Sequence, residues 1–98
     1  MARIWVALRQ RQDEARFYAA CCLVGLEELH IRGYMHRDVK PSNCLLAESR
    51  YLKLSDLGLA KHLDGGAKAH SQAGTPLYMA PEIVHGGSSK TGYGFAAD

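Results

Sequence analysis

The sequence predicts an α+β fold, and three successive patterns carry that prediction. Apolar residues recur at helical spacing through residues 13–32, and residues 44–55 alternate around a polar turn as a short β-hairpin does. Residues 56–80 contain few apolar side chains and many turn formers. A loop of that length with no pattern of its own is usually functional or mobile.

The helix predicted for residues 13–32 has a wide apolar face, so we expect it to be buried on more than one side. Asp13 is suited to cap its N-terminus, and Gly33 is suited to end it. Trp5 and Leu8 predict a shorter amphipathic segment before this helix. The apolar face of the helix comprises Phe17, Cys21, Leu23, Val24, Leu26 and Leu29.

The hairpin follows a loop at residues 34–44, which Pro41 keeps from forming a regular helix. Its predicted strands are 44–46 and 51–55, with a polar turn between them.

Two further segments follow the long irregular loop. Pro81 is placed to begin a short helix, with Glu82 at the positive end of that helix. Residues 86–94 read as a Gly/Ser-rich connector. It is not a phosphate-binding loop of the P-loop type, because Ser89 stands where the glycine before Lys90 is needed.

Composition excludes several classes of protein. The 98 residues suffice for one small domain, and a net charge of +2 gives no reason to expect a nucleic-acid partner. No segment approaches the ~18 apolar residues that span a bilayer. The three cysteines, two of them adjacent, form a poor disulfide framework. We therefore expect buried thiols and an intracellular, cytoplasmic protein.

Three short motifs occur in a fixed order. They are His36-Arg37-Asp38 with Asn43, then Asp56-Leu57-Gly58, and finally Ala80-Pro81-Glu82. In this order and separation they match the catalytic loop, the magnesium-binding turn and the end of the activation segment of protein kinases. The chain therefore resembles part of the large, C-terminal lobe of a protein kinase, with a buried helix, a catalytic loop, a short hairpin and an activation segment.

The catalytic loop carries residue types that suit phosphoryl transfer. This reaction needs positioning and neutralisation of phosphate charge more than covalent help from the protein. Asp38 can orient an attacking hydroxyl and accept its proton. Because residues i and i+2 of an extended loop face the same way, Lys40 is expected to project beside Asp38 and to place its charge on the phosphate.

The hairpin predicts a metal site. Asn43 directly precedes its first strand and Asp56 directly follows its second, and these two ends are neighbours in an antiparallel pair. Amide and carboxylate oxygens with open positions suit Mg²⁺. Gly58 allows the backbone to change direction after Asp56.

Each of these residues has a plainer interpretation when taken alone. Asp38 could cap a helix or turn, His36 could be a satisfied core histidine, and Asp56 with Gly58 could form only a turn. The combination of three ordered motifs favours the functional interpretation over these alternatives.

The subfamily is indicated by residues around the motifs. Lys40 and Thr75 are typical of serine/threonine kinases, and segments 15–20, 55–60 and 78–82 resemble the AGC group. Within that group the chain is most similar to G-protein-coupled-receptor kinases and then to cyclic-nucleotide-dependent kinases, which segments 51–54 and 74–76 also resemble.

The resemblance implies ATP and Mg²⁺ as cofactors and proteins bearing serine or threonine as substrates. It implies catalytic roles for Asp38, Lys40 and Thr75, and contacts to Mg-ATP for Lys40, Asn43, Leu45 and Asp56, with Leu45 under the adenine ring. Regulatory roles are implied for Arg37, Lys61 and Ser71. Structural roles are implied for His36, Leu57, Gly58, Glu82 and Asp98, the last anchoring the catalytic loop.

The chain also departs from the kinase pattern. No Gly-rich loop precedes residue 13, no strand lysine with its helix glutamate is present, and Glu82 lacks the later arginine it should pair with. We therefore expect residues 1–98 to be an incomplete kinase domain, inactive alone. Two functions stay open: a kinase with its other parts outside this chain, or a kinase-like chain that binds a partner or has no function. The intact set of Asp38, Lys40, Asn43 and Asp56 favours the first.

Overall fold

A computed structural model describes residues 12–86 and 92–98 of the chain. The segment predicted around Trp5 and most of the predicted connector lie outside the described residues. The first element is a long helix, Gln12–Ile31. Gly33 ends it with a φ of +83°, and its N–H donates to the His30 carbonyl, as predicted. Asp13 lies within the first helical turn and not at the cap.

The long helix is less buried than predicted. Its Tyr18, Cys21 and Cys22 pack against the hairpin, but none of its residues is buried. Leu23 and Ile31 are 68% and 71% exposed. The prediction of burial on more than one side is therefore wrong for this chain, because the described residues leave most of the face opposite the hairpin open, with only Phe95 and Asp98 packed against His30 near the end of the helix. Among the described residues, no helix has the length and apolar character needed to cross a membrane.

The predicted hairpin is confirmed. Strands β2 (Cys44–Leu46) and β3 (Leu52–Leu54) pair antiparallel, with Cys44 opposite Leu54 and Leu46 opposite Leu52. The pairing extends by one residue, because the Ser55 N–H donates to the Asn43 carbonyl at 2.8 Å. The hairpin therefore brings the backbone of the catalytic loop next to the residue that precedes Asp56.

A second ribbon was not predicted. Strand β1 (Tyr34–Met35) pairs antiparallel with β4 (Lys61–His62), and Ala69 forms an isolated bridge with Tyr93. Met35 lies in the main core cluster, with Leu63, Ala69, Ile83 and Tyr93. The short helix Pro81–Gly86 begins at Pro81 as predicted. Four 3-10 turns complete the described elements, at Pro41–Asn43, Leu57–Leu59, Pro76–Tyr78 and Phe95–Ala97.

The three cysteines are free thiols. Cys44 is buried as predicted, whereas Cys21 and Cys22 are half-buried in the face that packs on the hairpin. The Cys44 sulfur lies 3.8 Å from that of Cys22. Burial, and after it the neighbouring Cys22 thiol, raise the pKa of the Cys44 thiol to about 12. Cys44 therefore behaves as a small apolar side chain between helix and hairpin.

Candidate active site

The catalytic loop is fixed at its start by one buried carboxylate. Asp98 accepts the His36 N–H on Oδ2 and the Arg37 N–H on Oδ1, each at 2.8 Å. Its side chain is only 1% exposed, and His30 Nε2 lies 2.7 Å from the same Oδ2. Arg37 has a φ of +69°, which is strained for a residue with a side chain. The two backbone hydrogen bonds to Asp98 hold the loop in that conformation.

His36 joins the loop to the end of the hairpin. Its fully buried ring lies with Nε2 2.8 Å from the Ser55 carbonyl, while Nδ1 accepts the Asp38 N–H at 3.1 Å. Because a carbonyl can only accept, the ring proton sits on Nε2. His36 thus fixes the backbone of Asp38 relative to the residue before Asp56.

Asp38 is the centre of the site. Its Oδ1 accepts a hydrogen bond from the Thr75 hydroxyl at 3.0 Å, and its Oδ2 accepts one from the Asn43 amide nitrogen at 3.1 Å. The Lys40 ammonium lies 3.6 Å from Oδ2. The same Asn43 nitrogen also donates to the Asp38 carbonyl at 2.7 Å. Asp38, Lys40, Asn43 and Thr75 therefore form one network.

The Asp38 carboxyl is held in its charged form. Partial burial acts to raise its pKa, but the hydrogen bonds from Thr75 and Asn43 and the charge of Lys40 outweigh burial. The pKa of Asp38 consequently lies below its ordinary value. The group is an ionised acceptor at neutral pH.

Thr75 reaches this network from the far end of the irregular segment. Its hydroxyl accepts from the Lys40 ammonium at 2.7 Å while it donates to Asp38. The preceding Gly74 has a φ of +110°, and a Cβ there would lie 2.5 Å from the Arg37 carbonyl oxygen. Only glycine permits this close passage of the segment over the catalytic loop.

The predicted metal donors sit on neighbouring stretches of backbone. The Asn43 carbonyl accepts from both the Ser55 N–H, at 2.8 Å, and the Ser55 hydroxyl, at 3.1 Å. Asp56 follows with a φ of +59° and an exposed carboxylate whose Oδ1 accepts the Gly58 N–H. The described residues contain no group of three His, Cys, Asp or Glu side chains placed to hold a metal. A direct contact between the Asn43 and Asp56 side chains stays a prediction.

Arg37 connects the loop to the segment that follows Asp56. Its Nε donates to the Leu59 carbonyl at 2.7 Å, and its Nη1 donates to the Ser71 hydroxyl at 3.1 Å and to the Tyr93 hydroxyl at 3.3 Å. The structure therefore brings Arg37 and Ser71 together. Lys61 lies exposed on β4 opposite Met35, and the described hydrogen bonds and ion pairs do not join it to either residue.

Three other predicted residues lie outside this network. Leu45 and Leu57 are both about half exposed, and Glu82 is exposed in the first turn of the short helix. The roles predicted for them stay predictions.

Apart from Ser55 at the end of the hairpin, two polar residues that contact the site were not predicted from the sequence. His30 reaches Asp98 from the last turn of the long helix, and Tyr93 reaches Arg37 and Ser71 from the predicted connector. Neither belongs to one of the three motifs. Tyr93 is the one aromatic residue in the Gly/Ser-rich stretch of residues 86–94. That isolated aromatic residue was the sequence feature that could have indicated a buried contact.

The chain belongs to the protein kinase family, because the family model for the protein kinase domain matches residues 5–98. It is 52% identical over 85 residues to the cGMP-dependent protein kinase egl-4 of Caenorhabditis briggsae, covering 83% of this chain and 11% of that protein. It is 45% identical over 76 residues to the serine/threonine-protein kinase AtPK1/AtPK6 of Arabidopsis thaliana, covering 78% and 16%. It is 48% identical over 83 residues to the ribosomal protein S6 kinase-related protein of Homo sapiens, covering 85% and 19%.

The chain thus spans less than a fifth of the length of these curated relatives. The predicted membership of the kinase family is confirmed. The predicted likeness to cyclic-nucleotide-dependent kinases agrees with the similarity to the cGMP-dependent kinase of Caenorhabditis briggsae. The likeness to receptor kinases stays a prediction.

Proposed function

We propose that this chain is part of the large lobe of a serine/threonine protein kinase, which transfers phosphate from Mg-ATP to serine or threonine hydroxyls of proteins. The observation that carries the proposal is the network of Asp38, Lys40, Asn43 and Thr75. It combines an ionised acceptor with a cation at 3.6 Å from it. Those are the two groups needed to orient a hydroxyl and to neutralise a transferring phosphate.

In this proposal Asp38 orients the substrate hydroxyl and receives its proton. Lys40 places its charge on the transferring phosphate. Thr75 fixes the side chains of Asp38 and Lys40 relative to each other through its hydroxyl. The bond between Thr75 and Lys40 also narrows the approach to Asp38, which favours a short serine or threonine side chain over tyrosine. The named serine/threonine kinases among the relatives support this class of substrate.

Mg-ATP would bind beside this network. The Asn43 amide nitrogen is used by Asp38, so its oxygen is the atom left to bind a cation, and the exposed Asp56 carboxylate supplies a second donor. Hard oxygen donors of this kind suit Mg²⁺, which neutralises phosphate charge in such sites. Leu45 would form the apolar floor for the adenine. Leu57 would stack on His36, and Glu82 would pair with an arginine of the remaining domain.

Ser71 is proposed as a regulatory phosphorylation site. Its hydroxyl already contacts Arg37, so a phosphate there would gain a charge-assisted bond, with Lys61 as a second cation. Activity of a Ser71→Ala variant should be lower than that of the phosphorylated protein. Equal activity in a peptide assay would exclude this switch.

The proposed function is tested by Asp38→Asn in the protein at its full natural length. The substitution preserves shape but removes the proton acceptor, so kcat should fall by about 10²–10⁴-fold with little change in KM. The assay uses matched peptides bearing serine, threonine or tyrosine. Asp64→Asn is the control, because the Asp64 side chain is exposed and contacts His62, outside the proposed catalytic network. An undiminished kcat, or preference for tyrosine, would contradict the proposal.

A further inference from the structure

Tyr93 combines an apolar and a polar role in one side chain. The residue is 3% exposed and belongs to the core cluster with Met35 and Leu63. Its backbone exchanges two hydrogen bonds with Ala69, both at 2.8 Å. Its ring is therefore fixed by packing and its backbone by pairing, which leaves the hydroxyl at a defined position.

The Tyr93 hydroxyl joins two parts of the proposed active site. It donates to the Ser71 carbonyl and accepts from Arg37 Nη1 at 3.3 Å. Arg37 Nη1 in turn donates to the Ser71 hydroxyl at 3.1 Å. A guanidinium can only donate and a carbonyl can only accept, so a bridging group must do both, as a phenol does. Phenylalanine would fill the same space and could not bridge them.

The position of Ser71 matters for the catalytic network because little chain separates the two. Gly74 follows three residues later and passes against the Arg37 carbonyl, and Thr75 then contacts Asp38 and Lys40. Arg37 thus contacts both ends of the stretch 71–74. Its side chain binds Ser71, and its carbonyl lies against Gly74. A group that holds Ser71 to Arg37 also limits the movement of Thr75.

We propose that Tyr93 is a positioning residue for phosphoryl transfer, whose hydroxyl holds Ser71 and Arg37 together when Ser71 carries no phosphate. This inference rests on the function proposed above. Tyr93 touches neither substrate nor nucleotide and acts through Arg37 and the segment leading to Thr75. A phosphate on Ser71 would bind Arg37 directly, so it would take over the role of the hydroxyl. Activity without the phosphate therefore depends on Tyr93, and activity with it does not.

The test compares Tyr93→Phe with Tyr51→Phe in the protein at its full natural length. Tyr51 is exposed and its ring packs against Phe17 of the long helix, so its variant removes the same atom from a side chain outside the network of Arg37 and Ser71. With Ser71 dephosphorylated, Tyr93→Phe removes both hydrogen bonds of the hydroxyl, so kcat should fall by at least about tenfold while the KM for ATP stays unchanged. Hydrogen exchange should become faster over residues 69–75. Phosphorylation of Ser71 should restore kcat.

Two results would overturn the inference. One is an unchanged kcat in the dephosphorylated Tyr93→Phe protein. The other is a loss that phosphorylation does not restore, accompanied by faster exchange throughout the protein, which would reduce Tyr93 to a core residue. Failure of the proposed function is recognised separately, because wild-type protein would then phosphorylate no peptide. In that case, comparing hydrogen exchange over residues 69–75 between the wild type and Tyr93→Phe still shows whether the Tyr93 hydroxyl restrains those residues.

Discussion

Asp38 is surrounded by partners that the sequence reveals to different degrees. Lys40 and Asn43 lie in the same loop, so their approach to Asp38 follows from local spacing. Thr75 is separated from Asp38 by 37 positions, and no periodicity relates the two. Only the resemblance to kinases predicted that Thr75 would join the site. His30 and Tyr93 were missed because their contacts are also distant along the chain and belong to no motif.

The Thr75 hydroxyl is expected to set the pH range of the proposed reaction. It helps to lower the pKa of Asp38, so Thr75→Val should raise that pKa. The ionised carboxylate is the acceptor, so activity is lost as pH falls through its pKa in the folded protein. The acid limb of the kcat profile should therefore move to higher pH in Thr75→Val. At neutral pH, kcat should also fall by about tenfold because the hydrogen bond is lost.

Thr75→Ser is the matched control for this experiment. It keeps the hydroxyl between Lys40 and Asp38 and removes only a methyl group. Its acid limb should coincide with that of the wild type. An acid limb in Thr75→Val that stays at the wild-type pH would show that the hydroxyl does not stabilise the charged form of Asp38.

The elements differ in how far their sequence defines them. The hairpin was predicted because alternation over several residues and a polar turn agree. The end of the long helix was predicted because a glycine follows the helical pattern, and glycine favours the left-handed conformation that ends helices. Gly33 adopts that conformation in the structure. The ribbon of β1 and β4 was missed because each strand has two residues, too few for any periodicity. Its pairing depends on contacts between distant parts of the chain.

Gly74 is the position where a single methyl group should separate the activation segment from the catalytic loop. A Cβ there meets the Arg37 carbonyl at 2.5 Å, and the φ of +110° is unfavourable for any other residue. Gly74→Ala should therefore displace Thr75 from Asp38. We expect kcat to fall by at least about 10²-fold, as for misplaced catalytic groups. The measurement is kcat for a serine peptide, together with thermal unfolding.

Gly65→Ala separates backbone strain from this contact. Gly65 also has a positive φ, +54°, but a Cβ there meets nothing within 4 Å. Its substitution should cost about 1–2 kcal/mol of stability and leave kcat unchanged. If both variants lose the same stability and neither loses activity, the close passage at Gly74 has no catalytic consequence.

At the scale of the whole molecule, the sequence reveals which surfaces are apolar but not what covers them. The helix pattern is the same whether one face or two are packed. In the structure a groove of about 610 Å³ runs between the long helix and the hairpin, lined by Phe17, Val24, Leu54 and Leu57 among others. Its lining contains no member of the proposed catalytic network. Leu45 and Leu46 are also exposed on the hairpin, so much apolar surface is left open.

This open surface leads to a prediction for the 98 residues taken alone. In the proposed function Leu45 would form one wall for an adenine ring, and a nucleotide site normally encloses most of its ligand. We therefore expect negligible affinity for Mg-ATP and no phosphoryl transfer by the isolated chain. Large exposed apolar patches promote association, so the chain should also bind a hydrophobic dye and self-associate. Calorimetry with Mg-ATP measures the affinity for the nucleotide, and the same titration of the Asp56→Asn chain controls for nonspecific heat. Micromolar binding that Asp56→Asn abolishes would contradict this prediction and show that the 98 residues suffice for a nucleotide site.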